Sequence, residues 1–124
     1  MRVTVVAFHP ESAHVVETRV QTLFEPRSVE LDFVFPSFAE PGAEEDEETW
    51  TEIREDLETR LAKLERPFRL LHLSPGRFAD ALLLERTPAV VVVAYTQLSE
   101  RVTVAVNALA LRRFPVLMLG YRPS

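Results

Sequence analysis

Apolar residues along this chain switch between short runs suited to strands and a three-to-four-residue recurrence suited to helices. Residues 3–8 read as a first strand, ended by His9-Pro10. From Glu11 the period changes: Ala13, Val16, Val20 and Leu23/Phe24 recur at helical spacing, with Pro10 in the first turn and Pro26 closing the helix. Residues 29–35 alternate apolar with acid before turning wholly apolar, which suggests a sheet-edge strand stopped by Pro36. Residues 37–48 contain Pro41-Gly42 and a run of acids and are expected to be a loop. Thr49-Trp50-Thr51-Glu52 has capping-box spacing, and Trp50, Ile53, Leu57, Leu61 and Leu64 behind it form one apolar stripe.

The second half repeats the alternation. Residues 69–73 make a short strand, and Ser74-Pro75-Gly76 opens a helix through about Glu85, with Ser74 as N-cap. Residues 89–95 lack polar alternation, as a strand buried on both faces does. Ser99 caps a last helix reaching about Arg113, although Val102, Val104 and Val106 alternate in strand fashion and leave an antiparallel meander as the competing reading. Residues 116–121 form a fifth strand. The sum is β-α-β-α-β-α-β-α-β, an α/β chain with a parallel sheet covered on both faces.

Composition narrows the function classes. At 124 residues the chain suits a single domain, and with no cysteine it has no disulfide, thiolate nucleophile or Cys-based zinc site. The net charge of −5 is local: the segment from Glu40 to Glu48 holds six acids and no base, and the remainder is near neutral. No concentrated basic surface is available, so nucleic-acid binding is not expected. No apolar run approaches the roughly 20 residues that span a bilayer, and the N-terminal run lacks a cleavage site, so a cytoplasmic location without membrane attachment is expected.

Ligands of open parallel sheets bind beyond the carboxyl ends of the strands. The residues expected there are His9, Ser37, Ser74, Thr96 and Arg122. Phosphate-cradling loops need paired glycines, and Gly42, Gly76 and Gly120 stand apart. Neither Ser37 nor Ser74 has nucleophile-elbow glycines, and helix capping already accounts for Ser74. His9 and His72, ending strands that are neighbours in the commonest five-strand order, could hold a metal with Glu11 or Glu40. No His-x-x-His spacing supports it, so neither metal nor cofactor is expected. The acid run lacks the alternation and glycine of a calcium loop and reads as a solvated tether. Tyr95 and Tyr121 are expected at the rim of adjacent strands.

Leu70-Leu71-His72-Leu73-Ser74-Pro75-Gly76 resembles the third-strand signature of response-regulator receiver domains. Thr87-Pro88 before the fourth strand, Arg122-Pro123 after the fifth and Val5-Val6-Ala7-Phe8-His9-Pro10 at the front extend the resemblance over nearly the whole chain. It implies strand order 2-1-3-4-5. It places His72 where the family has its phosphoacceptor, Ala7 and Phe8 at the acid pair, Thr96 near the switch hydroxyl and Arg122 at the conserved lysine. A chain so altered is a pseudo-receiver that cannot hold Mg²⁺. Its expected role is non-catalytic regulation through protein contact, with anion or small-ligand binding at the rim, or an enzyme site completed by a second subunit, as alternatives. A receiver's fifth helix would also be missing. Val91, Val93, Val116, Met118 and Tyr121 are then expected to face a second copy or a partner protein.

Overall fold

The computed structural model describes residues 1–25, 27–38, 47–84 and 87–123, without the side chains of residues 47–50. Five strands form one sheet: β1 (Arg2–Ala7), β2 (Glu30–Phe38), β3 (Phe68–Leu73), β4 (Val90–Tyr95) and β5 (Val116–Gly120). Every pairing is parallel. Four α-helices connect them: α1 (Ala13–Phe24), α2 (Glu47–Arg60), α3 (Pro75–Leu83) and α4 (Glu100–Leu111). Residues 99–113 therefore do not form the competing meander. Val102, Ala105, Ala108 and Leu109 are buried along one helical stripe, which outweighs the valine alternation.

The strand order is 3-2-1-4-5, not 2-1-3-4-5. It matches the first five strands of the Rossmann-type doubly wound sheet. The change carries three corrections. First, β2 lies between β1 and β3 and is no edge strand. Leu31 to Phe35 are buried, and Asp32 is accommodated because Thr4, Arg2 and Arg69 bond it from the two neighbouring strands. Second, Pro36 does not stop β2, which runs on to Phe38 against β3. The β1 register ends at Val6↔Val34, so beside Pro36 no strand needs the N–H that proline lacks.

Third, although no helix follows β5 among the described residues, both faces of the sheet are covered. Odd-numbered β1 and β2 residues Val3, Val5, Phe33 and Phe35 face α1 and the end of α2, packing on Val16, Val20 and Leu61. Val6, Val34, Val91 and Val93 face α3 and α4, packing on Phe78, Leu82, Val102 and Leu109. With two helices on each face, Val91 and Val93 are already fully covered within the chain, as is Tyr121. Apolar exposure on the sheet is confined to the outer strand, where Leu117 and Met118 are 37% and 40% accessible.

The helix ends follow local chemistry. The Ser99 hydroxyl accepts from the Val102 N–H at 3.4 Å, capping α4 as expected. Ser74 stands at the α3 cap position but its side chain makes no capping bond. α2 begins at Glu47, two residues ahead of the expected cap Thr49. α4 closes with Phe114 N–H on the Leu109 carbonyl and Arg113 N–H on that of Ala110, a Schellman pattern with Arg113 at φ 61° where glycine is usual. No helix among the described residues is long and apolar enough to cross a membrane.

Candidate functional site

In this strand order the connections reverse direction between β1 and β4, which pair from Val3↔Val90 to Ala7↔Ala94. The chain leaves β1 for a helix on one face and leaves β4 for a helix on the other, so the two exits splay apart. A crevice opens at this switch point, as the geometry of doubly wound sheets requires. It has a volume of about 240 Å³ and is lined by Phe8 and His9 after β1, by Tyr95, Thr96 and Gln97 after β4, and by Ser99, Arg101 and Val102 of the α4 start.

Each wall has a local cause. The Tyr95 ring lies across Gly120, its register partner on β5, where an added Cβ would sit 3.4 Å from the ring. The Arg101 guanidinium donates to the Pro36 carbonyl at 3.1 Å and lies 5.4 Å from the centre of the Phe8 ring. It straps the α4 start to the end of β2 that overhangs β1, and the Phe8 face favours its charge. The α4 N-terminus adds its partial positive charge on the same side.

His9 bridges the two sides of the crevice. Its Nε2 lies 3.4 Å from the Thr96 hydroxyl and its Nδ1 3.7 Å from a Glu11 carboxylate oxygen. The row hydroxyl–imidazole–carboxylate has the order of a nucleophile with its base. Both separations exceed the roughly 2.6–3.2 Å needed for proton transfer, and the Glu11 side chain is largely in water. As it stands the arrangement offers donors and a cation to a ligand rather than an activated hydroxyl.

The remaining expected site residues are elsewhere. β2 separates β1 from β3, so His72 and His9 are not neighbours; His72 Nδ1 instead meets Ser37 Oγ at 3.2 Å on the far strand. Among the described residues no three His, Asp or Glu side chains converge as a metal site would require. Glu40 and most of the acid run lie outside the described residues. Arg122 is exposed beyond β5 and does not line the crevice, where Arg101 supplies the cation. Arg101, Gln97 and Ser99 were not among the expected rim residues. Their signal was available in the cap at Ser99, two residues before an arginine, once β4 is known to flank the switch point.

Tyr121 is no rim contact either. It packs beside Ala7, Ala13 and Ala94, and its buried hydroxyl makes no well-formed hydrogen bond. Burial pushes this phenol above its ordinary pKa near 10, with the Glu11 carboxylate adding to the rise and the Ser12 side chain offsetting only part of it. The neutral phenol is therefore the folded form. Its stabilisation is complete below the unfolded-state value and is lost as pH rises through the folded value. Tyr121→Phe should change stability by less than about 1 kcal/mol at pH 7. Above pH 10 the wild type should lose stability more steeply than the variant in urea titrations; parallel losses would refute this account.

No protein-family model matches the chain, and no curated protein does. A solved structure, described as the structure-based assignment of the biochemical function of hypothetical protein MJ0577, superposes with a TM-score of 0.54 at 14% identity. The match covers 99% of this chain and 97% of that one. Similarity at that identity concerns the fold alone.

Proposed function

We propose that this chain is a non-catalytic regulatory domain that binds a small anion at the switch-point crevice. The observation that carries the reading is the convergence of Arg101, Ser99, Thr96, Gln97 and His9 on one opening between β1 and β4. All can donate hydrogen bonds, and the guanidinium and the helix N-terminus are both suited to negative charge. The size sets the ligand: about 240 Å³ is below the range of about 300–1,000 Å³ that takes drug-sized molecules. A phosphate or carboxylate group fits, whereas a dinucleotide with its glycine-dependent pyrophosphate loop does not.

The test is a thermal titration with inorganic phosphate at fixed ionic strength. A ligand at a hundredfold excess over Kd adds about 2.7 kcal/mol. The wild type should show a saturable rise in Tm that Arg101→Ala abolishes. General salting-out by phosphate would raise both proteins alike, and that outcome, or no rise at all, defeats the proposal.

A second reading, that regulation runs through self-association, is favoured by the outer edge of β5. Val116–Gly120 is a short apolar strand at the end of the sheet, with Leu117 and Met118 half in water. Natural proteins usually guard such an edge with charge or proline, and this strand carries neither. Light scattering at micromolar concentration should give twice the 14.1 kDa chain mass, reduced to monomer by Leu117→Lys. A monomeric wild type would remove this reading and leave the crevice proposal standing.

A further inference from the structure

Apart from the switch-point crevice, a groove of about 470 Å³ lies between the start of α1 and the end of α2. Its floor is apolar: Ala13 and Leu61 are buried, and Leu64 is half-buried beside them. Its walls are charged, and the charges are sorted. Glu11 and Glu17 stand on the α1 side, Arg60 and Lys63 on the α2 side, with His14 among the α1 residues.

Opposite charges facing each other across a narrow gap would ordinarily close into ion pairs. Here they do not. Glu17 pairs with Arg66, outside the lining, at 3.4 Å, and Arg60 pairs with Asp56 on its own helix at 3.2 Å. Among the described residues the ion-pair contact of Glu11 is with His9, at 3.7 Å. Lys63, the one lysine of the chain, makes no ion pair or hydrogen bond among the described residues. Among the described residues no pair joins two lining residues across the groove, while Glu17–Arg66 ties α1 to the segment after α2 beside it.

We propose that this groove binds a small zwitterion with an apolar body, of the free amino acid class. Its carboxylate faces the Lys63 and Arg60 wall, its ammonium faces the Glu11 and Glu17 wall, and its side chain lies on Leu61 and Leu64. A groove of this volume falls within the range of small-molecule sites. A molecule carrying both charges satisfies both walls at once, which a simple cation, anion or hydrocarbon cannot do.

The experiment is an amide-resolved NMR titration of the full chain with L-leucine. N-acetyl-leucine, which lacks the ammonium, and leucinamide, which lacks the carboxylate, serve as matched probes. L-leucine should give saturable shifts at Ala13, Leu61 and Leu64, with both matched probes at least about fivefold weaker. Lys63→Gln, at an exposed position where folding is not at stake, should weaken L-leucine by a similar factor. Arg101→Ala should leave it unchanged, so failure here is separable from failure at the crevice. Equal binding of all three probes, unaltered binding by Lys63→Gln, or no shift at millimolar L-leucine would each overturn the assignment.

Discussion

Replacing Asp32 with alanine is expected to destabilise the fold by about 3 kcal/mol, lowering Tm by roughly 10–15 °C for a chain of this size. Asp32 is 7% accessible in the interior of β2. Its carboxylate accepts from the Thr4 hydroxyl at 2.8 Å, from two nitrogens of Arg2 at 3.4 Å and from Arg69 at 3.4 Å. Removing it leaves two guanidinium groups without their shared anion and a buried hydroxyl without its acceptor. Breaking a fully buried pair costs about 3–5 kcal/mol. The lower end applies because the Arg2 and Arg69 side chains keep 17% and 23% exposure, so water recovers part of the loss. Thr4→Val, which removes only the hydroxyl, should cost about 1 kcal/mol. Urea unfolding checks both, and an Asp32→Ala loss below about 1 kcal/mol would mean the cluster is mere surface decoration.

This cluster also marks where the sequence was legible and where it was not. The element order could be read because periodicity and proline placement act locally: His9-Pro10, Ser74-Pro75 and Ser99 all stand at the boundaries they suggested. Strand order could not be read in the same way. Orders 2-1-3-4-5 and 3-2-1-4-5 use the same succession of elements and the same right-handed crossovers, and differ only in which strand β3 joins. The acid in β2 suggested an edge, because a lone carboxylate inside a sheet is costly. It is affordable only through Arg2 and Arg69, which are 30 and 37 residues away in sequence.

The apolar run Phe33-Val34-Phe35 pointed the other way. Phe33 and Phe35 stack on one face, with ring centres 6.1 Å apart, while Val34 is buried on the opposite one, as in an interior strand. From that order follows the site. His9 and Thr96 were expected at strand ends and do meet, because β1 and β4 are neighbours. His72 was expected with them and does not join them, because β3 is an edge here, while Arg122 follows β5, an edge in either order, and is exposed outside the crevice lining. The arginine that lines the crevice sits on the helix after β4, a position that no strand-end rule reaches.

A second large effect is expected at Leu61, the side chain on which α2 depends. The apolar stripe of α2 and the turn after it is the most regular in the chain, yet the structure uses little of it. Among its described side chains Ile53 is 41% accessible, Leu57 and Leu64 are half-buried, and only Leu61 is fully enclosed, against the α1 face of the core. Regular spacing shows that a helix forms; it does not show how much of the stripe finds a surface. Leu→Ala at a buried site costs about 2.7–5.0 kcal/mol in a rigid surround. Leu61 borders the open groove beside α1, so water can enter the space it leaves, and about 2–3 kcal/mol is expected. The loss should be uneven across the molecule. Amide hydrogen exchange should accelerate through residues 51–64 far more than in α4, because the latter keeps Val102, Ala105 and Leu109 in the other core cluster. If Leu61→Ala instead lowers protection equally in α2 and α4, then α2 is not held by this one residue, and the groove beneath it is more rigid than its lining implies.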